Sequence, residues 1–212
     1  MQHSILLELQ YLGPVQYYSK FLKFESVVIE QHENYRKGSF RNRCIIASAN
    51  GTVSLSIPLL KGKHQQTNIQ SVAIDNHGKW QLMHWRSIQT AYGNSPFFDY
   101  YKDDFKALFE KKYELLFHFC RDVHELVLEL LQIVPNCTYT NTYVKKTTVD
   151  TLDFRSFILP KNFQQNIDPN FKAKAYPQVF EDRLGFIPNL SILDLLFCLG
   201  PEAVVQLKNC LN

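Results

Sequence analysis

The sequence predicts an α/β protein, with α+β as the alternative: a mixed sheet that starts with a βαβ unit and an antiparallel hairpin, packed with a helical segment. Three observations carry this. Two short apolar runs, residues 4–9 and 25–30, flank a stretch of helical spacing, as in a compact βαβ unit. Two further runs, 44–47 and 53–57, flank Ala49-Asn50-Gly51, and Asn-Gly between apolar runs is a strong hairpin signal. From Lys79 onward the apolar residues recur at helical period. The 212 residues suit one domain over 1–212, sheet-rich to about 78, helical from about 79 to 135, and irregular from about 136. With 45% hydrophobic and 20% charged residues, disorder, collagen, a coiled coil and a disulfide mini-scaffold are excluded.

Taken in order, Gly13-Pro14 breaks the first strand, and Pro14 suits the first turn of a helix over 15–24. Tyr18, Phe21 and Leu22 share one side of it. Pro58 ends the hairpin, residues 61–66 form a polar loop, and 69–74 can form a strand with Val72 and Ile74 alternating. Helices follow over 80–91, 96–110 and 113–134, the second opened by Ser95-Pro96. The third carries a stripe of Leu116, Phe119, Val123, Leu126, Val127, Leu130 and Leu131. Residues 136–149 read as strand or loop, and 160–175 as a mobile segment. Asn189 or Ser191 caps a short helix over 192–199, Gly200-Pro201 ends it, and an amphipathic turn or two closes the chain.

The net charge of +3 is uneven: residues 1–64 hold eight Lys/Arg against four Asp/Glu, with Arg36, Lys37, Arg41 and Arg43 close together. A nucleic-acid footprint would be more basic, and no RNP, zinc-finger or helix-turn-helix pattern is present. Five cysteines without a CxxC suit free thiols in a reducing compartment, and Cys120 with His124 reads as packing. With no basic leader at the start and no apolar run long enough to insert in a membrane, the expected home is the cytoplasm.

Three clusters could carry chemistry. On a helix, Trp85, Gln89 and Tyr92 share a face, Arg86 sits beside Gln89 and Thr90, and His84 lies apart, aligned with Ile88. That face, continued by Asn94, reads either as the wall of a binding cleft or as a packed structural helix. The second cluster, Tyr11 to Tyr18 with Gln16 and Tyr17, lies beyond the carboxyl end of the first strand, where parallel sheets bind ligands. It reads equally as an aromatic turn packed on the hairpin. In the third, Arg41-Asn42-Arg43 on a strand would project both guanidiniums one way, as a clamp for carboxylate or phosphate or as a solvated strand edge. No GxGxxG, GKS/GKT, GxSxG or HExxH pattern occurs, and no metal or cofactor is expected.

Taken together, these segments resemble the WbqC-like protein family. The likeness rests on Gln10-Tyr11-Leu12-Gly13-Pro14 with Tyr17-Tyr18, Gly38-Ser39-Phe40-Arg41-Asn42-Arg43-Cys44, and Leu55-Ser56-Ile57-Pro58-Leu59. It continues through His84-Trp85-Arg86-Ser87-Ile88-Gln89-Thr90-Ala91-Tyr92, Phe97-Phe98-Asp99-Tyr100-Tyr101, and Leu190 to Phe197 with Gly200-Pro201. Many relatives open with a QPxYxPWxGYF-like stretch, and this chain lacks its Trp. The resemblance implies a bacterial protein of surface polysaccharide (O-antigen type) biosynthesis, with aminoacyl or glycine transfer to an amino sugar or nucleotide-sugar as the suggested reaction. No catalytic residues come with it.

Two readings therefore stand. In a cytoplasmic transferase acting on a sugar or nucleotide-sugar, Arg41, Asn42 and Arg43 would hold phosphate and Trp85 or Tyr17 would stack on sugar or base. His84 or Tyr92 would handle the proton, with Tyr11, Gln16, Arg86, Gln89 and Asn94 completing the pocket. In a non-catalytic ligand-binding or assembly protein, the same pocket would do no chemistry. A nucleotidyltransferase is disfavoured because no HxGH-type loop occurs. The sequence does not fix the oligomeric state.

Overall fold

The structure, a computed structural model, describes residues 3–60, 66–165 and 167–212; most of the expected polar loop at 61–66 lies outside these residues. Strand β1 (Ser4–Glu8), helix α1 (Val15–Lys23) and strand β2 (Ser26–Glu30) form the expected βαβ unit. The two strands pair in parallel from Ser4↔Ser26 to Glu8↔Glu30. Two three-residue strands extend the sheet: β5 (Cys137–Tyr139) beside β2 and β6 (Thr151–Asp153) beside β1, both parallel. The order is β5-β2-β1-β6. Ile5, Leu6 and Leu7 are all buried, as a parallel strand covered on both faces requires.

The hairpin, β3 (Arg43–Ser48) and β4 (Gly51–Ser56), is a separate two-stranded antiparallel ribbon. Gly51 has φ +119°, which glycine alone takes without strain. The strand expected over 69–74 is instead a 3₁₀ turn at Ile69–Ser71. Asn68 Oδ1 accepts from the Gln70 N–H and starts that turn, so the side chain outbids the Val72/Ile74 alternation. Val72, Ala73 and Ile74 then serve as isolated backbone contacts to Leu116, Leu115 and Glu114.

Helices α2 (Trp80–Tyr92), α3 (Phe98–Glu110) and α4 (Leu116–Leu130) follow in the places their periodicity predicts. α4 buries Leu116, Phe119, Val123 and Val127, while Leu126 and Leu130 lie at the margin. Each fully buried side chain of this kind stabilises by about 1.5–3 kcal/mol. After a one-turn helix α5 (Glu181–Leu184), Ser191 caps α6 (Ile192–Leu199) through Leu193 N–H, and α7 (Ala203–Asn209) closes the chain. Within the stretch 160–175, expected to be mobile, Asp168 is buried against Lys20 and Phe171 pairs with Leu211.

The start of α1 shows how the two ends of the chain meet. The Val15 N–H donates to Leu190 O at 3.0 Å and the Gln16 N–H to Asn189 Oδ1 at 2.8 Å. Donors that a helix N-terminus could offer an anion are thus filled by the chain itself.

Candidate functional site

The carboxyl ends of the parallel strands gather the most concentrated buried charge in the described residues. Glu8 and Glu30 are the last residues of β1 and β2, paired across the ladder, and Asp153 is the last of β6. Glu33 follows β2 on the loop, Arg41 precedes β3, and Arg155 with Ser156 follows β6. Beyond them opens a cleft of about 430 Å³ lined by His32, Glu33, Asn34, Arg36, Arg41, Tyr143 and Ser156. Open parallel sheets bind ligands at this position, outside the carboxyl edge.

The charges form one network. Glu33 accepts from Arg41 Nε and Nη2, both at 2.7 Å, a bidentate pair. Glu8 accepts from Gln10 Nε2 at 2.9 Å and Ser156 N–H at 2.7 Å, and lies 3.8 Å from Arg41 Nη1. Glu30 takes His32 N–H, the Thr140 hydroxyl, Val144 N–H and Arg155 Nη1. Arg155 grips Asp153 at 2.6 and 2.9 Å and rests over the Tyr143 ring at 5.2 Å. Burial works against the Arg41 charge, but Glu8 and Glu33 beside it raise its pKa above the usual value. Burial pushes the Glu33 carboxyl up against the pull of Arg41. The Arg155 bonds hold Asp153 below its ordinary range. Ser156 sits at φ +59°, a conformation uncommon for a non-glycine residue, and this aims its N–H at Glu8.

Among the described residues no group of three or more His, Cys, Asp or Glu is arranged to hold a metal ion. The carboxylates here are instead spent on guanidiniums, amides and N–H groups. The surface left for a ligand is a mixed one. Arg36 is exposed and has no ion pair among the described residues, and Tyr143 is 49% exposed, a flat face that a sugar ring or base can cover. Arg41 Nη1 has no hydrogen-bond partner.

The residues singled out in the sequence are scattered among different environments. Of these, Arg36 and Arg41 of the basic cluster line this cleft. Asn42, next to Arg41, is tied to the Tyr35 hydroxyl and Ile57 O, and Arg43, half-buried at the start of β3, keeps its Nε without a partner. The Arg41-Asn42 pair lies in the turn before β3, so the two guanidiniums are not displayed side by side along a strand. Tyr11 and His84 bond each other at 3.0 Å inside the core, and His84 also bonds the Ser56 backbone; burial lowers its pKa to about 4. Tyr92 is fully buried, accepts the Ala47 N–H, and has its pKa raised well above the ordinary value by burial. Gln16 bonds Asp168 and Asn189, and Tyr17 packs among Tyr18, Phe21 and His124. Trp85 stacks on Phe98. Arg86 lines a hollow beside the hairpin, Asn94 lines another beside Gln178, and Gln89 is exposed. Sequence reasoning missed Glu8, Glu30, Glu33, Arg155, Ser156 and Tyr143. The available signal was an acid closing each of two apolar strands.

Fold and site together define a parallel-sheet α/β protein with a polar cleft beyond its strand ends. The chain belongs to the WbqC-like protein family, whose profile matches residues 10–206. Searches of curated proteins and of solved structures find no match. No helix among the described residues is long and apolar enough to cross a membrane.

Proposed function

We propose that the protein is a transferase of surface polysaccharide biosynthesis of O-antigen type, and that it holds a sugar or nucleotide-sugar in the cleft at the carboxyl edge of the sheet. Family membership supports the pathway. The observation that carries the ligand assignment is the cleft itself, where an exposed Arg36 without an ion pair among the described residues and the half-exposed Tyr143 ring sit together over the strand ends. Arg36 would meet phosphate, Tyr143 the sugar ring, and Asn34 and Ser156 the hydroxyls. Arg41 is a positioning residue for the cleft wall, paired with Glu33 and lying beside Glu8. The reaction in this reading is aminoacyl or glycyl transfer to an amino sugar or nucleotide-sugar. His32, which lines the cleft, would move the proton. His84 and Tyr92 serve as packed, hydrogen-bonded core residues.

A second reading, a non-catalytic ligand-binding or assembly protein of the same pathway, draws on one observation: Glu8, Glu30 and Glu33 are each already engaged by protein donors. Two measurements separate the readings. A thermal-shift screen against UDP- and dTDP-linked amino sugars should raise the melting point, since a ligand that binds only the folded state stabilises it. Arg36→Ala and Tyr143→Ala should each weaken that binding about tenfold, equivalent to about 1.4 kcal/mol. If neither substitution changes the binding, or no nucleotide-sugar binds, the cleft assignment fails. Mass-spectrometric detection of an acylated sugar by the native chain, abolished in His32→Gln with binding retained, supports the transferase. Binding without product for any aminoacyl donor supports the second reading.

A further inference from the structure

A second hollow, of about 340 Å³, lies between the β3–β4 hairpin and α2 and shares no lining residue with the cleft. Ile46, Ala47, Ala49, Val53, Ala91 and Phe180 give it walls of small or apolar groups. Three hydroxyl-bearing residues also line it, but each hydroxyl is turned back on the protein. Ser87 Oγ donates to Met83 O, Thr90 Oγ1 to Arg86 O, and Ser48 Oγ to Gly51 O. With their protons committed there, these hydroxyls can still accept a hydrogen bond but have no donor left for a ligand. One directed group stands at the edge: Arg86, exposed and without an ion pair among the described residues.

The surrounding sequence has the matching charge. The hairpin and α2 contain no Asp or Glu, and residues 34–98 carry eight Lys/Arg against a single acid, Asp75. The acids nearest in sequence on the third wall, Glu181 and Asp182, follow Phe180, and neither lines the hollow. Among these lining side chains Arg86 is the one donor free for a ligand, and its charge repels a cation. An apolar body with one anionic group satisfies both features at once.

We infer that this hollow is a binding site for an anionic amphiphile, an apolar chain ending in a phosphate or a carboxylate, with the chain between the hairpin and α2 and the head on Arg86. Calorimetric titration with dodecyl phosphate, dodecanoate, dodecanol and inorganic phosphate, each below micelle formation, tests it and tells the two head groups apart. One or both anionic amphiphiles should bind about tenfold or more tightly than dodecanol, and inorganic phosphate should not bind here. Arg86→Gln should bring the anionic amphiphiles down to the dodecanol level. Thr90→Glu, which sets a carboxylate one helical turn from Arg86, should abolish their binding. Both positions are exposed, so both variants keep the fold. The site is refuted if alcohol and anions bind alike, if Arg86→Gln leaves affinity unchanged, or if the cleft variant Arg36→Ala removes the binding instead.

Discussion

Two parts of this protein bury polar groups, one at the carboxyl edge of the sheet and one beneath α1, and they do so in opposite ways. At the edge, the carboxyls of Glu8, Glu30 and Glu33 are met by the Arg41 and Arg155 guanidiniums, an amide and backbone N–H groups. Beneath α1, the hydroxyls of Tyr17 and Tyr18 and both ring nitrogens of His124 have no hydrogen-bond partner among the described residues. Burial lowers the His124 pKa to about 3, so the ring stays neutral and packs 4.9 Å from Phe21 and 5.7 Å from Tyr18. The difference teaches where this fold spends polarity. At the strand ends buried carboxyls are answered by guanidiniums, whereas around His124 polar rings are used as hydrophobic bulk.

The strongest way to break the contrast is Arg41→Ala. It strands Glu8 and Glu33 as buried carboxylates without their cation and should cost about 3–5 kcal/mol, a large share of a domain's stability. Urea unfolding checks this, and Glu33→Gln in the same chain should restore part of the loss. An unchanged midpoint for Arg41→Ala would mean the network does not hold the edge.

Acidification should attack the other region. His84 and His124 have folded pKa values of about 4 and about 3, below the ordinary 6.5, because burial disfavours their charged forms. Unfolded histidine takes up protons first. The stability these residues contribute is therefore full above about pH 6.5 and falls by a few kcal/mol as pH drops toward 4.

Asp194 gives the opposite slope. It accepts from the Tyr176 hydroxyl and Gln178 Nε2 with no cation near it, and burial raises its pKa to about 6. Its stabilising effect is full below about pH 4 and is lost, by about 2–3 kcal/mol, as pH rises through 6. Urea midpoints across pH 4–8 should rise to a plateau near pH 6.5, because two histidine slopes outweigh one carboxyl slope between pH 4 and 6, and Asp194→Asn should steepen that rise.

Smaller effects sharpen the comparison. His124→Phe removes two unsatisfied nitrogens from an aromatic cluster and should stabilise by about 1 kcal/mol at pH 7, more in acid. Tyr143→Ala, at the open cleft face, should shift stability by less than about 0.5 kcal/mol. A large loss there would make Tyr143 a structural residue.

The legible parts of the fold were those with local causes. The βαβ unit, the Asn50-Gly51 hairpin, α2 to α4 and the Ser191 cap each announce themselves in one contiguous stretch of sequence. β5 and β6 did not, because three residues rich in threonine carry no period, and their pairing to β2 and β1 depends on chain more than 100 residues away. The site divides the same way. Arg41 was visible as part of a basic cluster, but its partners Glu8 and Glu33 lie 33 and 8 residues off, and nothing near Arg41 says it will be drawn inward. Arg86 was visible for the reason it stayed exposed: its own helix offers no acid to pair with it.

The cap on α1 has a kinetic consequence. Its first amides find their acceptors in Leu190 and Asn189, Ile192 N–H reaches back to Gly13 O, and Ser191 N–H to Ile45 O. The opening supersecondary unit is therefore completed only by contacts from residues 189–192. Contacts of such long sequence separation raise the contact order, and a higher contact order goes with slower folding.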